Sequence, residues 1–595
     1  MIKYRPPVRD MQFLLHELLN VESRFSAMPR HSDLDAGTVD QIIEAAGKFS
    51  RDVLQPLNLP GDREGCTRDA NGSVRTPAGY PEAYRQYVEG GWPALTGPAE
   101  FGGQALPHVV GNAVTEMICA CNQAWGAYPI LSHGAGSCLF EHGNAELKRL
   151  YLPKLVSGAW SGTMCLTEAH CGSDLGLLGT RAELAADGSY RITGTKIFIS
   201  GGDQDLTDNI LHLVLARLPD APAGSRGISL FLVPKFLVNE RGEPVERNAV
   251  QCGALEEKMG IHGNATCVMN FDGARGWLVG ERGRGLNAMF VMMNASRLVV
   301  ATQTVGLSEF VYQQASGYAK ERLQSRSASG PRLPAAAADP IIVHPDVRRM
   351  LLTQRAYTEG GRALTAWLAV LADHEQSDAD ETRRAAAARL IPLLTPIAKA
   401  FVSDNAFEST NLGMQVFGGH GYIVETGIEQ YVRDARISSI YEGTNAIQAL
   451  DLVNRKIAVD GGASLDLLLA DIEGFVENSR AAPAMNEFST PLLAAIDKAR
   501  RGTSAILDGQ RRDPEFAGAA AVHYTRVIGH LLFAYLWAQM ARVALAKCGH
   551  DDDFYRTKLA TARYYFARMH PEIDYQLALV LASPASLMEP ADEAF

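Results

Sequence analysis

The chain has 595 residues, of which 47% are hydrophobic and 21% charged, with a formal net charge of −11. That length exceeds what one hydrophobic core organises, so several domains are expected. The composition is that of an ordinary globular protein, and the acidic balance argues against a polyanion-binding surface.

The nine cysteines have no repeating spacing, and Cys119-x-Cys121 lacks a second matching pair. That pattern suits reduced thiols in a cytoplasmic protein and gives no reason to expect a metal. The start, "MIKYRPPVRDMQFLLHELL", has basic residues but no uninterrupted apolar core, so no secretory signal is expected.

From about Val39 to Leu155 the period is mostly helical, interrupted by "LPGDREGCTRDANGSVRTPAGYP", whose Gly, Pro, Asp and Asn predict a surface loop. "NAELKRLYLPKLVSG" predicts a helix ending near Pro153 and Gly158. After Ser161 the texture changes. "SYRITGTKIFISGG", "NILHLVLARL", "GISLFLVPKF" and "ATCVMNFDGARGWLVG" are short β-branched and apolar runs bounded by Gly, Asp or Pro. They predict strands.

The helical period returns at "GRGLNAMFVMMNASRLVVA" and is broken by a loop at "SRSASGPRLPAAAADPIIVHP". Helices resume over Val347–Ala372, Glu381–Gly413 and Glu425 to about Arg436. "VIGHLLFAYLWAQMARVALA" is long enough to span a bilayer, but His530, Gln539 and Arg542 interrupt it, which predicts a buried helix. The expected fold is α+β and multidomain: an N-terminal extension (1–38), a helical domain (39–160), a middle β domain (161–285), a helical domain (286–460) and a further helical domain (461–595).

Three stretches carry candidate chemistry. In "MCLTEAHCGSDLG", Thr167, Gly172, Ser173 and Asp174 offer hydroxyls and turn N–H groups to a cofactor's polar edge, although a capped turn is the simpler reading of that spacing. In "TGTKIFISGG", Phe198 could stack on a planar ring, or simply mark a strand-to-turn junction. In "GMQVFGGHGY", glycines around His420 allow close backbone approach, but no Gly-Lys-Ser/Thr follows and His420 itself suits a structural role.

Taken together with "YVRDARISSIYEGTNAIQ", these stretches resemble the acyl-CoA dehydrogenase family over about Val39 to Lys456, in the family's order. The N-terminal stretch, the loop after Arg322 and the last helices resemble its longer subgroup, which includes methylthiopropionyl-CoA dehydrogenases. Two departures are visible: Phe198 stands where many members have tryptophan, and "AHC" puts a bulky His170 before Gly-Ser-Asp.

The resemblance implies that residues 286–460 form a four-helix bundle, and that the cofactor is FAD. Met164, Thr167, Ser173, Phe198, Ser200 and Thr444 would then contact the cofactor, with Arg322, Gln415 and Gly419 reaching FAD held mainly by a second subunit of a homodimer. Ser173, Tyr441 and Gly443 would bind substrate. The implied reaction oxidises an acyl-CoA thioester to the trans-2-enoyl thioester. It needs a base for the α-proton, a dry cleft, and donors for the developing enolate. The resemblance makes Glu442 that base, with its own N–H and a flavin ribityl hydroxyl as the donors. Arg297 matches a family arginine near the site, and a structural ion pair would serve it equally. The implied electron partner is an electron-transfer flavoprotein, and the implied substrate is 3-(methylthio)propanoyl-CoA or another short or medium acyl-CoA. The resemblance also implies that "NQAWGAYPILSHG", Asn122 to Gly134, lines part of the acyl cavity, and the bulk of Trp125 and Tyr128 there suggests a short or medium acyl group. Two other functions fit the same fold: an acyl-CoA oxidase using oxygen, and a non-catalytic DNA-protecting protein. The mixed charge of "DGQRRDPEF", "HDDDF" and "EPADEAF" fits packing better than nucleic-acid binding.

Overall fold

The computed structural model describes residues 3–548 and 553–595, so most of the "HDDDF" run lies outside the described residues. Two compact units divide the chain: 45–299, and 1–44 together with 300–595.

In the first unit, helices precede a β domain. Helices Tyr80–Glu89, His108–Cys121, Gln123–His142 and Ala145–Val156 surround an aromatic core. Trp125 sits there fully buried, with ring centroids 5.3 Å from Tyr87, 6.1 Å from Tyr84 and 6.2 Å from Phe49. The predicted loop that begins at Leu59 is corrected in its first six residues, which belong to helix Gln55–Glu64. Close packing outweighs the local Pro and Gly signals there: a Cβ on Gly61 would lie 2.7 Å from the Tyr80 hydroxyl. A short hairpin, Thr67–Arg68 with Val74–Arg75, follows. Pro153 stands inside its helix rather than ending it.

The β domain holds a seven-stranded sheet. Its order is Val250–Leu255, Thr266–Val279, Tyr190–Ser200, Arg181–Leu184, Asn209–Arg217, Trp160–Cys165. Ile228–Pro234 pairs with both Thr266–Val279 and Asn209–Arg217, which closes most of the sheet into a ring. Asn209–Arg217 is buried on both faces, hence its unbroken apolar run, whereas Tyr190–Ser200 alternates because one face meets solvent. Trp160–Cys165 runs parallel to Asn209–Arg217 and presents Met164 near its end.

In the second unit, the bundle helices are the C-terminal part of Gly285–Glu321, then Pro345–Ser377, Glu381–Ile397 and Ser403–Phe417. Glu381–Ile397 and Ser403–Phe417 are joined by a wide π-helical turn, Ala398–Val402. Phe516–Lys547 is the central helix of the C-terminal region. It packs on Asn486–Arg512, Asp553–Tyr564 and Glu572–Val580, and also on Pro345–Ser377 and Asn445–Asp451. The apolar stretch of this helix is 78% buried, as a core helix should be, with His530 fully inside.

The N-terminal helix Val8–Gln12 is tied into this unit by buried charges. Asp10 meets Arg362 and Lys558; Arg362 also bonds Glu309 at 2.6 Å, and Lys558 bonds Glu359 at 2.6 Å. Burial would raise the Asp10 carboxyl, but Lys558 and Arg362 hold it down at about 2.

Candidate active site

The candidate residues fall into two groups, one in each unit. In the first unit, Met164, Thr167, Phe198 and Ser200 lie where the strands Trp160–Cys165 and Tyr190–Ser200 end, and Ser173 lies on the loop that follows Trp160–Cys165. The Ile197 N–H donates to the Thr167 carbonyl at 2.9 Å, which joins the two predicted flavin-side stretches. The pairing of Tyr190–Ser200 with Thr266–Val279 shifts register between Cys267 and Met269, so Ile197 and Phe198 bulge opposite Val268. Phe198 has φ +60° and is 60% exposed. A left-handed backbone is unusual for an aromatic residue, and such strain clusters at functional sites. An outward aromatic face beside the half-buried Met164, Thr167 and Ser200 fits a flavin ring in both shape and donor chemistry.

Glu168 and Lys196 hold this surface from behind. Lys196, fully buried, donates to Glu168 at 2.8 Å and to the Leu166 carbonyl at 2.9 Å. Glu168 also accepts from the Thr180 hydroxyl at 2.6 Å and the Gly179 N–H at 2.7 Å. Burial would raise this carboxyl, but Lys196 and those donors bring it to about 2; burial likewise pulls Lys196 down against the pull of Glu168. The sequence reading missed this pair, although the glutamate lies inside "LTEAHCGSD". Ser173 is exposed on the same loop, and Asp174 caps the turn by accepting from Gly176 at 2.9 Å, as the capped-turn reading expected. His170 does not point its ring inward; it is exposed and bonds the Leu177 carbonyl at 3.0 Å. Glu168, His170 and Cys171 bring potential ligand atoms within 4.8 Å of one another, but Glu168 is already engaged by an ammonium. Arg297 is buried on its helix and bonds Asn294 at 3.2 Å.

The segment proposed for the acyl cavity needs correction. Trp125 is core, its ring nitrogen donating to the Tyr80 carbonyl at 3.3 Å. Tyr128 is also buried; its hydroxyl accepts from the Ala265 N–H at 2.8 Å and donates to the Gly263 carbonyl at 3.2 Å. Both bulky rings serve packing.

In the second unit, Arg322 ends the helix Gly285–Glu321, and Gln415 ends the helix Ser403–Phe417. Tyr318 brings these ends together. It stacks on Phe417 with centroids 4.4 Å apart and bonds His420 at 3.3 Å, which gives His420 a bracing role. Arg322, Gln415 and Gly419 are all exposed there.

Glu442 sits on the bend between Ile437–Ser439 and helix Asn445–Asp451. Its φ is +57° and that of Gly443 is +85°, two left-handed residues in succession. Glycine is needed at 443 for space as well: a Cβ would lie 2.6 Å from the Gln448 amide nitrogen. Gln448 donates to the Glu442 carbonyl at 3.0 Å, and Thr444 caps the following helix by accepting from Ile447 at 3.3 Å. One carboxylate oxygen of Glu442 is screened from solvent. The Gln303 amide contacts the hydroxyl of the half-buried Tyr441. A carboxylate on a rigid, sharply bent loop is what proton abstraction at a fixed point requires.

An exposed aromatic face among half-buried polar groups in the first unit, and a carboxylate fixed on a bend in the second, are each suited to a flavin-dependent oxidoreductase. The chain belongs to the acyl-CoA dehydrogenase family: it matches the acyl-CoA dehydrogenase N-terminal domain over residues 40–159, the middle domain over 163–274 and the C-terminal domain over 283–457. Residues 468–590 match the domain described as acetyl-CoA dehydrogenase C-terminal like. It is 42% identical to the 3-methylmercaptopropionyl-CoA dehydrogenase of Ruegeria pomeroyi, covering 98% of this chain and 99% of that protein. It is 34% identical to the broad-specificity linear acyl-CoA dehydrogenase FadE5 of Mycobacterium tuberculosis, over the full length of both. The crystal structure of an acyl-CoA dehydrogenase with FAD from Bacillus anthracis shares the fold, with a TM-score of 0.71 at 20% identity over 96% of this chain and 91% of that one. The protein is thus an oxidoreductase with FAD as its cofactor.

Proposed function

We propose that this protein dehydrogenates 3-(methylthio)propanoyl-CoA, or an acyl-CoA of similar length, at the α,β bond, with Glu442 as the base. The observation that carries the reading is the rigid Glu442–Gly443 bend, in a chain similar over nearly its whole length to a dehydrogenase of that thioester. Glu442 takes the α-proton into its carboxylate. Its left-handed backbone presents side chain and N–H from one residue, so the same position serves the thioester oxygen as charge develops there. FAD, when bound, supplies the acceptor for the β-hydride. Phe198 would lie against its ring, with Met164, Thr167 and Ser200 at the edge. Ser173 and Tyr441, the latter held by Gln303, would help seat the substrate.

Electrons then pass to an electron-transfer flavoprotein in a cytoplasmic setting, a reading supported by the nine free cysteines. The functional form is a homodimer. The exposed run Tyr422, Ile423 and Val424 beside Gly419, apolar and outward, supports that. The test is anaerobic bleaching of the flavin by a panel of acyl-CoA thioesters, repeated with oxygen or an electron-transfer flavoprotein as the only acceptor. The methylthio substrate and its straight-chain isosteres should bleach fastest, and turnover should need the flavoprotein. Fast turnover on oxygen alone would make the protein an oxidase.

A further inference from the structure

Lys399 lies on the π-helical turn Ala398–Val402 and is completely buried. Its ammonium donates to the Gly443 carbonyl at 2.8 Å and to the Asn445 side-chain oxygen at 2.7 Å. The Asn445 amide nitrogen in turn donates to Asp404 at 2.6 Å and to the Ser403 hydroxyl at 3.0 Å. A buried ammonium is costly and is kept only where its donors are used. Here they are used on the loop that carries Glu442. π-Helical turns inside α-helices also tend to mark functional positions.

We propose that Lys399 is a positioning residue: it holds the Glu442–Gly443 bend in its left-handed conformation and so sets where the Glu442 carboxylate points. The inference rests on the reading of Glu442 as the base. Gln448 holds the carbonyl of residue 442 and Lys399 the carbonyl of residue 443, so successive peptide groups are each fixed from a different helix. A left-handed glutamate persists only when its surroundings impose that geometry. Without the Lys399 donors the 443 carbonyl is released, and the bend is free to relax into ordinary backbone.

The C-terminal region backs this device. Phe401 stands on the same turn as Lys399. The Arg526 guanidinium lies 5.5 Å from its ring centroid, and a Cβ on Gly529 would come within 2.4 Å of the ring. Arg526 is itself fixed by Glu572 at 2.7 Å. Helix Phe516–Lys547 therefore packs against both the lysine-bearing turn and helix Asn445–Asp451, so residues 461–595 support the same positioning device.

The test compares wild type, Lys399→Met, Asn445→Ala and Glu442→Gln as FAD-loaded full-length enzyme. Three measurements are made: amide exchange by mass spectrometry, binding of an enoyl-CoA product, and anaerobic flavin reduction by acyl-CoA. Lys399→Met keeps the side-chain volume but removes the donors. In both network variants, exchange should rise over residues 442–445 and not elsewhere. Product affinity should stay within about twofold, while the reduction rate falls by about 10- to 100-fold, the usual cost of a misplaced group. A purely structural role for Lys399 would lower thermal stability and move binding and rate together. If Lys399→Met does not fold, Asn445→Ala decides, since it spares the buried ammonium but removes the side-chain oxygen that fixes it under the Gly443 carbonyl. Wild-type reduction in either folded variant overturns the proposal, provided Glu442→Gln is impaired. If Glu442→Gln is itself unimpaired, the base assignment fails, and the positioning role fails with it.

Discussion

Lys196 places its ammonium 2.8 Å from Glu168 with both side chains buried, directly beneath the strand end that presents Phe198. The pair connects the two stretches predicted to meet the flavin. It fixes their spacing before any cofactor arrives, which is the preorganisation a tight flavin site needs.

Lys196→Met should therefore weaken both fold and FAD retention. The change leaves the Glu168 carboxylate buried without its ammonium, a loss of about 3–5 kcal/mol for pairs of this kind. Purified variant should carry much less FAD per chain, measured by absorbance after heat release, and excess FAD should partly restore its melting midpoint. Full FAD content and an unchanged midpoint would show that the pair does not shape the site.

The same logic predicts behaviour in acid. Asp10 and Glu168 both have folded carboxyl values near 2, below the usual range of about 4 for unfolded carboxylates. A depressed folded value contributes stability above the unfolded value, and that contribution is lost as pH falls toward the folded one. Thermal midpoints should thus stay level from neutral pH to about 5 and drop steeply between about 4 and 2. Replacing Asp10 with Asn should flatten part of that drop while lowering the midpoint at neutral pH. A midpoint at pH 7 unchanged by Asp10→Asn would argue that the cluster contributes nothing.

Lys558→Met tests why the N-terminal helix and the C-terminal helices belong together. Lys558 bridges Asp10 of the one and Glu359 of the bundle, and it is wholly buried. Its loss leaves Asp10 with Arg362 alone and Glu359 with Arg355 alone, so a destabilisation below the roughly 3–5 kcal/mol of a fully broken buried pair is expected. Limited proteolysis should then cut the first residues of the chain early. Protection equal to wild type would mean that apolar packing of Phe13 and Phe554, 5.4 Å apart, suffices.

How far the sequence could be read depends on where each signal resides. The order of helices, β domain and helices was legible because periodicity is local, and so were the strands Tyr190–Ser200 and Asn209–Arg217. Trp160–Cys165 was not, since "WSGTMC" has little β pattern and becomes a strand through its parallel partner. Glu442 was legible through its Tyr-Glu-Gly context and the family resemblance. Lys399, Glu168 with Lys196, and the Asp10 cluster were not. Each works through a partner 28 to 548 residues away, and a buried lysine looks like a surface one until its neighbours are known. Trp125 misled in the opposite direction: bulk near an expected cavity is equally the mark of core.

Trp125→Ala accordingly tests packing. Its indole fills the space among Phe49, Tyr84 and Tyr87, and removing a buried tryptophan costs about 3–5 kcal/mol. The melting midpoint should fall clearly, while the relative rates of flavin bleaching across acyl chain lengths should not change. A shift toward longer chains would restore Trp125 to the substrate cavity.

Glu442→Gln should keep fold, FAD and thioester binding and lose most turnover. Glutamine is nearly the same size, and the bend is held by groups outside the side chain: Gln448 on the 442 carbonyl, Lys399 on the 443 carbonyl, and glycine at 443. The backbone N–H therefore stays where it was. What disappears is the proton acceptor, needed only on the way to the transition state, so kcat should fall with little change in binding. General-base catalysis contributes about 100- to 10,000-fold, and a loss in that range is expected. A solvated turn residue would show almost none. The measurement is anaerobic stopped-flow bleaching of the flavin at saturating substrate, with product affinity determined on the same sample. Bleaching near the wild-type rate would mean that another group takes the α-proton, and that the strained bend at 442 has some other purpose.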